Sequence, residues 1–169
     1  MRVELGPQSW TLREIGDVEW FMLIQLPEAA DPSQSERGRK RIFPEITSSS
    51  EDSQIHQDWK EFVVPELEDQ FDQRVKTVTE DLSKAEETEG ADGPLHRLEV
   101  PLDHAETWYS VLNQARLILN EEHDITNTEQ QLMYGDSAPT EIEERKWLIL
   151  VQYRVYAAIQ EFLLSQFTD

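Results

Sequence analysis

The helical spacing of the apolar residues constrains the fold of this chain more than any other feature. Apolar side chains recur every three or four positions over residues 103–121 and again over 65–87, which places them on one face of a helix. A third helical stretch ends near residue 167 and is apolar around most of its circumference, which is typical of a central helix. We therefore expect the terminal helix to lie at the centre of the domain, against the 103–121 helix. The periodic apolar positions are Ala105, Trp108, Leu112, Ala115 and Leu119 in the first stretch and Leu67, Phe71, Val75, Val78 and Leu82 in the second.

Short alternating stretches predict a small β element beside these helices. Apolar and polar residues alternate over residues 2–5 and 9–15, with Gly6 and Pro7 supplying turn chemistry between them, so a β-hairpin is expected. Residues 95–100 form a candidate third strand. A length of 169 residues without an internal repeat suits one domain. The predicted fold class is mainly α, a single domain of five to six helices over residues 1–169 with this hairpin at its N-terminus.

Proline, glycine and serine residues predict where the helices end and the loops lie. Pro65 cannot continue a helix without strain, so the region is expected to hold one helix near 52–63 and another near 65–87. The apolar stripe of the first of these helices consists of Ile55, Trp59, Phe62 and Val63. Flexible loops are expected near residues 28–41, 46–51, 88–94 and 134–139.

The charge of the chain excludes one class of partner. Thirty-five acidic residues outnumber fifteen basic ones, and the formal net charge of −20 repels nucleic-acid phosphates, so nucleic-acid binding is not expected. Residues 51–92 hold fourteen acids and four bases, a net −10, and residues 121–144 hold eight acids and no base. These acids either coat solvent-facing helix flanks and keep the protein soluble, or form an interaction surface for a basic partner.

Basic residues stand out against this acidic background and are the candidate interaction residues. The cluster Arg37, Arg39, Lys40 and Arg41 places four cations in five positions. This cluster either neutralises the protein's own acids or docks an acidic partner. Arg116 lies among apolar helical neighbours, so either its stem packs along the helix with its head paired to an acid, or it binds an anion in a groove between helices.

Motifs for catalysis and metal binding do not occur. The chain has no cysteine, which removes thiolate metal sites, disulfides and cysteine nucleophiles. None of the four histidines follows a glutamate at the spacing of a di-iron bundle, and no P-loop or Gly-x-Ser-x-Gly occurs. No catalytic residue, metal or cofactor is therefore predicted, and the balance favours a protein that is not an enzyme.

The hydropathy pattern predicts a cytoplasmic protein. The longest uninterrupted apolar stretches, residues 20–24 and 147–151, fall far short of the ~18 residues that span a bilayer. The N-terminus lacks the apolar core of a signal peptide. Neither secretion nor a membrane partner is expected.

Three stretches carry a resemblance to a known family. They are Arg-Ile-Phe-Pro at 41–44, Leu-Glu-Val-Pro-Leu-Asp-His-Ala-Glu-Thr-Trp at 98–108 and Leu-Asn-Gln-Ala-Arg-Leu-Ile-Leu at 112–119. Together with the aromatic-rich segment 147–167 they resemble an uncharacterised bacterial domain family, whose pattern is an Arg-Leu-Phe-Pro turn, two helices, a Trp-x-x-x-Leu-Asn-x-x-Arg-Leu helix and a final aromatic helix. The long acidic stretches and the basic 37–41 segment depart from that pattern.

The resemblance shapes the functional expectation. The family has no assigned activity, but its genes often lie beside that of the adaptor that delivers substrates to the Clp protease, which implies a regulatory or adaptor-like role. The leading hypothesis is a non-enzymatic protein-interaction or regulatory module, linked through the resemblance to Clp-dependent proteolysis, with a protein partner. The alternative is a small-anion or metabolite-binding domain or enzyme with a pocket near Arg116. The sequence leaves the oligomeric state and the identity of the partner open.

Overall fold

Helices make up most of the part of the chain that the structure describes, residues 1–44, 53–91, 93–127 and 144–167. This computed structural model confirms the mainly α class and adds a four-stranded sheet. The helices are α1 (Asp17–Ile24), α2 (Leu26–Ala29), α3 (Glu36–Ile42), α4 (Ser53–Asp58), α5 (Val64–Leu82), α6 (Ala105–His123) and α7 (Glu144–Phe167), with 3₁₀ turns at Pro32–Gln34 and Leu102–His104 and a π turn at Trp59–Val63. The strands are β1 (Arg2–Leu5), β2 (Ser9–Ile15), β3 (Glu86–Gly90) and β4 (Gly93–Pro101).

The four strands form one antiparallel sheet in the order β1-β2-β4-β3. The predicted hairpin is confirmed, with Val3 opposite Leu12. The candidate third strand is also real, since β4 pairs with β2 and places Leu98 opposite Leu12. Both edge strands, β1 and β3, are mostly exposed, whereas Trp10, Leu12 and Leu98 of the two central strands are fully buried.

Strand β3 is a correction to the sequence prediction. The helix expected to reach residue 87 ends at Leu82, and the loop expected at 88–94 is a tight β3–β4 hairpin in which Gly93 adopts a φ of +134°. All but the last residue of β3 are exposed, so the strand carries no apolar alternation for the sequence to reveal. Its backbone pairing with β4 alone makes it a strand.

Helix α6 is the element against which most of the other helices pack. It contacts α2, α3, α5 and α7, and the five periodic apolar positions predicted for it are all buried. At the sheet, the Trp108 ring meets Trp10 of β2 edge-to-face with ring centroids 5.3 Å apart. Such a pair adds about 0.5–1.5 kcal/mol beyond the area that the rings bury. The helix with the clearest periodicity is therefore the centre of the described fold.

The terminal helix α7 packs against α6, as expected, but it is not the central helix. Leu150, Ile159 and Leu163 face the core, whereas Trp147 and Leu148 are about half exposed. Apolar residues around most of the circumference predict a central helix, and only one side is covered within the described residues. None of the helices in the described ranges combines the length and apolarity that crossing a bilayer requires.

The segment predicted as a loop at 28–41 is mostly helical. It contains the end of α2, the 3₁₀ turn Pro32–Gln34 and α3. Asp31 caps the 3₁₀ turn, and Ser35 Oγ accepts a hydrogen bond from Gly38 N at 2.9 Å and so begins α3. Two polar residues of this segment, Asp31 and Ser35, are helix caps. The loops expected near 46–51 and 134–139 lie outside the described residues.

The chain is not interrupted at Pro65. The π turn Trp59–Val63 joins α4 directly to α5, and Pro65 occupies the first turn of α5. A proline is tolerated there because the first N–H groups of a helix have no partner within the helix. The predicted boundary therefore marks a change of helical register.

The carboxylate of Asp81, which is fully buried, ties the end of α5 to the start of α6. Asp81 Oδ2 accepts hydrogen bonds from His104 Nδ1 at 2.8 Å and from the indole N–H of Trp108 at 3.1 Å, and Lys84 Nζ lies 3.0 Å from Oδ1. Burial raises the pKa of Asp81, but the hydrogen bonds from His104, Trp108 and Lys84 outweigh it, so the pKa lies below its ordinary value of 3.8. The folded state therefore stabilises the ionised form of Asp81.

Replacing Asp81 is expected to make stability less dependent on pH. Because the folded pKa of Asp81 is lowered, its charged form stabilises the protein fully above about pH 4, and this contribution is lost as the pH falls through the folded pKa. Asp81→Asn should lower the free energy of unfolding at pH 7 by about 1–3 kcal/mol, since the Trp108 N–H loses its charged acceptor.

Urea unfolding of wild type and Asp81→Asn from pH 7 to pH 2.5 measures this difference. Asp103→Asn, an exposed acid in the adjacent 3₁₀ turn, is the control and should change stability by less than about 0.5 kcal/mol. If the difference in unfolding free energy between wild type and Asp81→Asn stays the same down to pH 2.5, the ionised Asp81 is not the source of the pH dependence.

Candidate functional site

A cleft of about 630 Å³ lies between the 27–39 segment and α5. Proline, alanine, valine and phenylalanine side chains supply its apolar surface, and carboxylates surround them. The apolar lining residues are Pro27, Ala30, Pro32, Pro65, Phe71 and Val75, and the acidic ones are Glu28, Asp31, Glu68, Asp69 and Asp72.

Helix α6 fixes the position of both walls of this cleft. The side-chain amide of Gln114 on α6 donates to the carbonyl oxygen of Ala30, and α3 lies against α6 at Gly38. A Cβ atom on Gly38 would stand 2.9 Å from Ile118 Cγ2, so any larger residue there would force Ile118 or α3 to shift. On the other wall, α5 packs on α6 through its apolar stripe. The two walls therefore share one rigid support.

Enlarging Gly38 is expected to displace the α3 wall. Gly38→Val should lower the free energy of unfolding by about 1–3 kcal/mol, because the added methyl groups overlap Ile118, which is buried. Ile118→Ala creates space at the same contact. The double variant should therefore be more stable than the sum of the two single effects predicts, and denaturant unfolding of the four proteins measures this coupling. Strictly additive effects would contradict the contact.

The cleft carries a strong negative charge. Arg39 is the one cation among its lining residues, and it forms an ion pair with Glu68. Burial raises the pKa of Asp31, but hydrogen bonds from Gln34 and Ser33 outweigh it and hold the pKa below its ordinary value, so this carboxylate is ionised at neutral pH.

The other three carboxylates of the cleft are available to a ligand. Glu28, Asp69 and Asp72 are exposed and have no hydrogen-bond or ion-pair partner among the described residues. They present acceptors next to the apolar surface of Phe71. This combination suits cations that carry an aliphatic stem.

The structure places the predicted basic cluster on α3, and its members differ in environment. Arg39 pairs with Glu68 across the cleft and lies over the Phe43 ring, 5.4 Å from its centroid. Lys40 pairs with Glu36 one turn earlier, at 2.7 Å. Arg37 and Arg41 are exposed. Two of the four cations therefore neutralise the protein's own acids, and the structure leaves the other two at the surface.

Arg116 joins α6 to α7 and does not line the cleft. Its Nη1 donates to Gln160 Oε1, its Nη2 donates to the Tyr153 hydroxyl at 3.1 Å, and its guanidinium lies 4.6 Å from the Tyr153 ring centroid. Of the two alternatives for Arg116, pairing of the head with an acid is not found among the described residues, since both hydrogen-bond partners are neutral. A neutral amide and a phenol, which lie seven residues or about two turns apart on α7, bond the two Nη atoms, and the buried Nε has no hydrogen-bond partner among the described residues.

Removing the Arg116 head is expected to cost stability. Arg116→Met keeps much of the stem but leaves the oxygen of Gln160, a side chain only 5% exposed, without its donor. The free energy of unfolding should fall by about 1–3 kcal/mol. Arg37→Met, an exposed arginine on α3, is the matched control and should cost less than about 0.5 kcal/mol in the same urea titration. Equal midpoints for Arg116→Met and wild type would show that the contact contributes nothing.

The sequence predicted the acidic flank of α5 but not the cleft. Glu68, Asp69 and Asp72 belong to the acidic 51–92 region, for which the sequence leaves an interaction surface as one of two alternatives. The opposite wall was missed because 28–41 was expected to be a loop, although its caps Asp31 and Ser35 were visible in the sequence. Within the described ranges no group of three histidine or acidic side chains converges as a metal site would need.

Comparison with known families identifies the chain. A family model described as a domain of unknown function, DUF2017, matches residues 8–166. The chain belongs to this family. The DUF2017 match includes both walls of the cleft and the Arg116 network, and it confirms the predicted membership of an uncharacterised domain family. Comparisons with curated proteins and with solved structures return no match.

Proposed function

We propose that this DUF2017 protein is a non-enzymatic protein-interaction module that binds a lysine- and arginine-rich segment of a partner protein in the acidic cleft. The observation that carries the proposal is the lining of the cleft, in which five carboxylates surround an apolar surface and one guanidinium is present. That guanidinium, of Arg39, is already paired with Glu68. The cleft therefore offers net negative charge to whatever enters it.

The apolar surface favours long basic side chains over small cations. Lysine and arginine bury their aliphatic stems along apolar surface while their charged heads remain at polar groups. Phe71 and the prolines Pro27 and Pro65 supply that surface, and Glu28, Asp69 and Asp72 stand ready for the heads. The prolines also restrict the backbone on both walls of the free protein. Less conformational entropy is therefore lost when a ligand binds.

The ion pairs that this cleft can form with a partner are exposed to solvent, so each contributes little to the binding free energy. Each solvent-exposed ion pair contributes about 0.2–1 kcal/mol, so three pairs contribute between about 0.6 and 3 kcal/mol. The screening length is ~8 Å at physiological ionic strength, so affinity should fall as salt rises. Such a site suits a reversible, regulatory contact.

The proposed biological role is regulatory or adaptor-like. The resemblance given by residues 41–44, 98–108 and 112–119 links the family to Clp-dependent proteolysis, and a module that holds a basic segment of a protein fits such a role. The exposed cations Arg37 and Arg41 on the neighbouring helix α3 offer a second contact, to acidic groups of the same partner.

A matched pair of triple variants tests the proposal. The cleft variant Glu28→Gln/Asp69→Asn/Asp72→Asn and the control variant Glu80→Gln/Glu89→Gln/Glu121→Gln change the net charge equally, but the control positions are exposed acids that do not line the cleft. A fluorescein-labelled peptide of alternating Lys, Arg and Ser is titrated by anisotropy at 50 and 300 mM NaCl. The cleft variant should bind between about threefold and a hundredfold more weakly than the control at low salt.

Two outcomes would count against the cleft. Equal weakening by both triple variants would mean that the net charge of the protein attracts the peptide without a site, and unchanged affinity in the cleft variant would exclude the cleft. If the proposal holds, wild type and the cleft variant are each used to capture proteins from a lysate. The partner is then a protein that wild type retains and the cleft variant does not. Adding Arg37→Ser/Arg41→Ser to wild type tests the second contact in the same assay.

A further inference from the structure

The cleft of the free protein already holds one cationic side chain, that of Arg39. Its Nη1 atom forms an ion pair with Glu68 Oε1 on the opposite wall, and its guanidinium lies 5.4 Å from the centroid of the Phe43 ring. Phe43 in turn packs on Phe71 of the cleft, with the ring centroids 5.8 Å apart. The cleft thus offers a guanidinium two things at one place, a carboxylate acceptor and an aromatic pair.

This contact is the same kind of contact that the proposed function assigns to the partner. A basic side chain reaches across apolar surface and places its charge on a carboxylate of α5. Among the five carboxylates that line the cleft, Glu68 is the one that pairs with a cation of the described residues. Arg39 and an incoming cation therefore compete for the same acceptor.

The exposure of the pair allows it to open. The side chain of Arg39 is 47% exposed and that of Glu68 is 34% exposed, so water reaches both groups and neither is left as a buried, unpaired charge. The α3 wall itself is held against α6 at Gly38. Opening the ion pair therefore leaves the wall in place.

The surroundings of the Arg39 head favour arginine over lysine as the incoming side chain. A guanidinium is planar, presents several donors to a carboxylate and stacks on aromatic rings, whereas an ammonium is a compact and strongly hydrated charge. Glu68 and the Phe43 ring contact these features of Arg39. An arginine of the partner fits the space that Arg39 now fills.

We infer that Arg39 is a built-in competitor of the cleft, and that an arginine of the partner segment binds by displacing it from Glu68. This inference rests on the proposed function of the cleft and adds the preferred side chain and a regulating contact to it. Glu68 is paired in both states, so the internal pair lowers the affinity for the partner without preventing binding. An exposed ion pair shifts an equilibrium by about 1.4-fold to fivefold, which is the size of effect to expect.

Two substitutions of equal charge test the competition. Arg39→Gln and the control Arg41→Gln each remove one positive charge from α3, but Arg41 is exposed and does not line the cleft. Two labelled peptides, one of alternating Arg and Ser and one of alternating Lys and Ser, are titrated by anisotropy in about 0.1 M NaCl, where the screening length is about 10 Å. Arg39→Gln should bind the arginine peptide about two- to fivefold more tightly than Arg41→Gln, with a smaller gain for the lysine peptide.

The acceptor Glu68 separates competition from charge alone. If Arg39 competes for Glu68, the double variant Arg39→Gln/Glu68→Gln should bind the arginine peptide no more tightly than wild type. A gain that persists in the double variant, or that Arg41→Gln matches, would overturn the inference, because net charge then explains it. Weaker binding by Arg39→Gln together with a lower urea midpoint would make Arg39 a support of the wall instead. Equal gains for the two peptides would overturn the preference for arginine.

Nuclear magnetic resonance detects the displacement itself. In ¹⁵N-labelled wild type, the Nε–H signal of Arg39 is identified as the one missing from Arg39→Gln. Saturation with the arginine peptide should move this signal towards its position in Glu68→Gln, in which Arg39 has lost this carboxylate. A signal that stays in place while anisotropy shows the peptide bound would exclude the exchange.

Failure of the proposed function gives a different pattern. The cleft variant Glu28→Gln/Asp69→Asn/Asp72→Asn would then bind the arginine peptide as tightly as the control triple variant, whatever Arg39→Gln does. If the cleft variant binds more weakly but Arg39→Gln binds no more tightly than Arg41→Gln, the cleft is the site and Arg39 is not a competitor. The two claims can therefore fail separately.

Discussion

The buried carboxylate of Asp81 is the interaction on which the arrangement of the helices depends. It accepts hydrogen bonds from His104 and Trp108, so it fixes the end of α5 to the residue before α6 and to the first turn of α6. A carboxylate without exposed surface is costly unless its oxygens are bonded, and here both are. The indole that it holds is the one that packs edge-to-face on Trp10 of the sheet. One charged group thus connects the position of α5 to the core between α6 and the sheet.

The cleft inherits its geometry from this arrangement. The N-terminal end of α6 holds the C-terminal end of α5, and so the α5 wall, through the hydrogen bond from Trp108 to Asp81. Further along, α6 holds the opposite wall through Gln114 and through the close contact of Gly38 with Ile118. Both walls of the cleft therefore rest on the same helix. The charged lining is placed on a rigid support, which a selective contact with another protein requires.

The described acidic residues at the α5–α6 junction and in the cleft have different roles, which their count in the sequence does not distinguish. Asp81 is structural, Glu68 pairs with Arg39, and Asp31 is satisfied by its own turn. Glu28, Asp69 and Asp72 have no partner among the described residues, and the proposed recognition depends on these three. Exposed pairs are weak individually, so the proposed selectivity depends also on the apolar surface beside them, at Phe71 in the cleft.

The sequence by itself determined the elements whose signal lies in apolar periodicity: the α6 stripe, the N-terminal hairpin and the strand that joins it. The resemblance carried by its three motif stretches predicted an uncharacterised domain family, and the comparison confirms this. Only the tertiary structure decided that 28–41 is helical, that β3 is a strand and that Arg116 pairs with neutral groups. The physical reasons differ. The cap of α3 at Ser35 is local, but the packing of α3 on Ile118 is not. Strand β3 has no apolar alternation and is a strand through its backbone pairing with β4. Arg116 is bonded by Gln160, 44 residues further along the chain, and local spacing carries no record of such a partner.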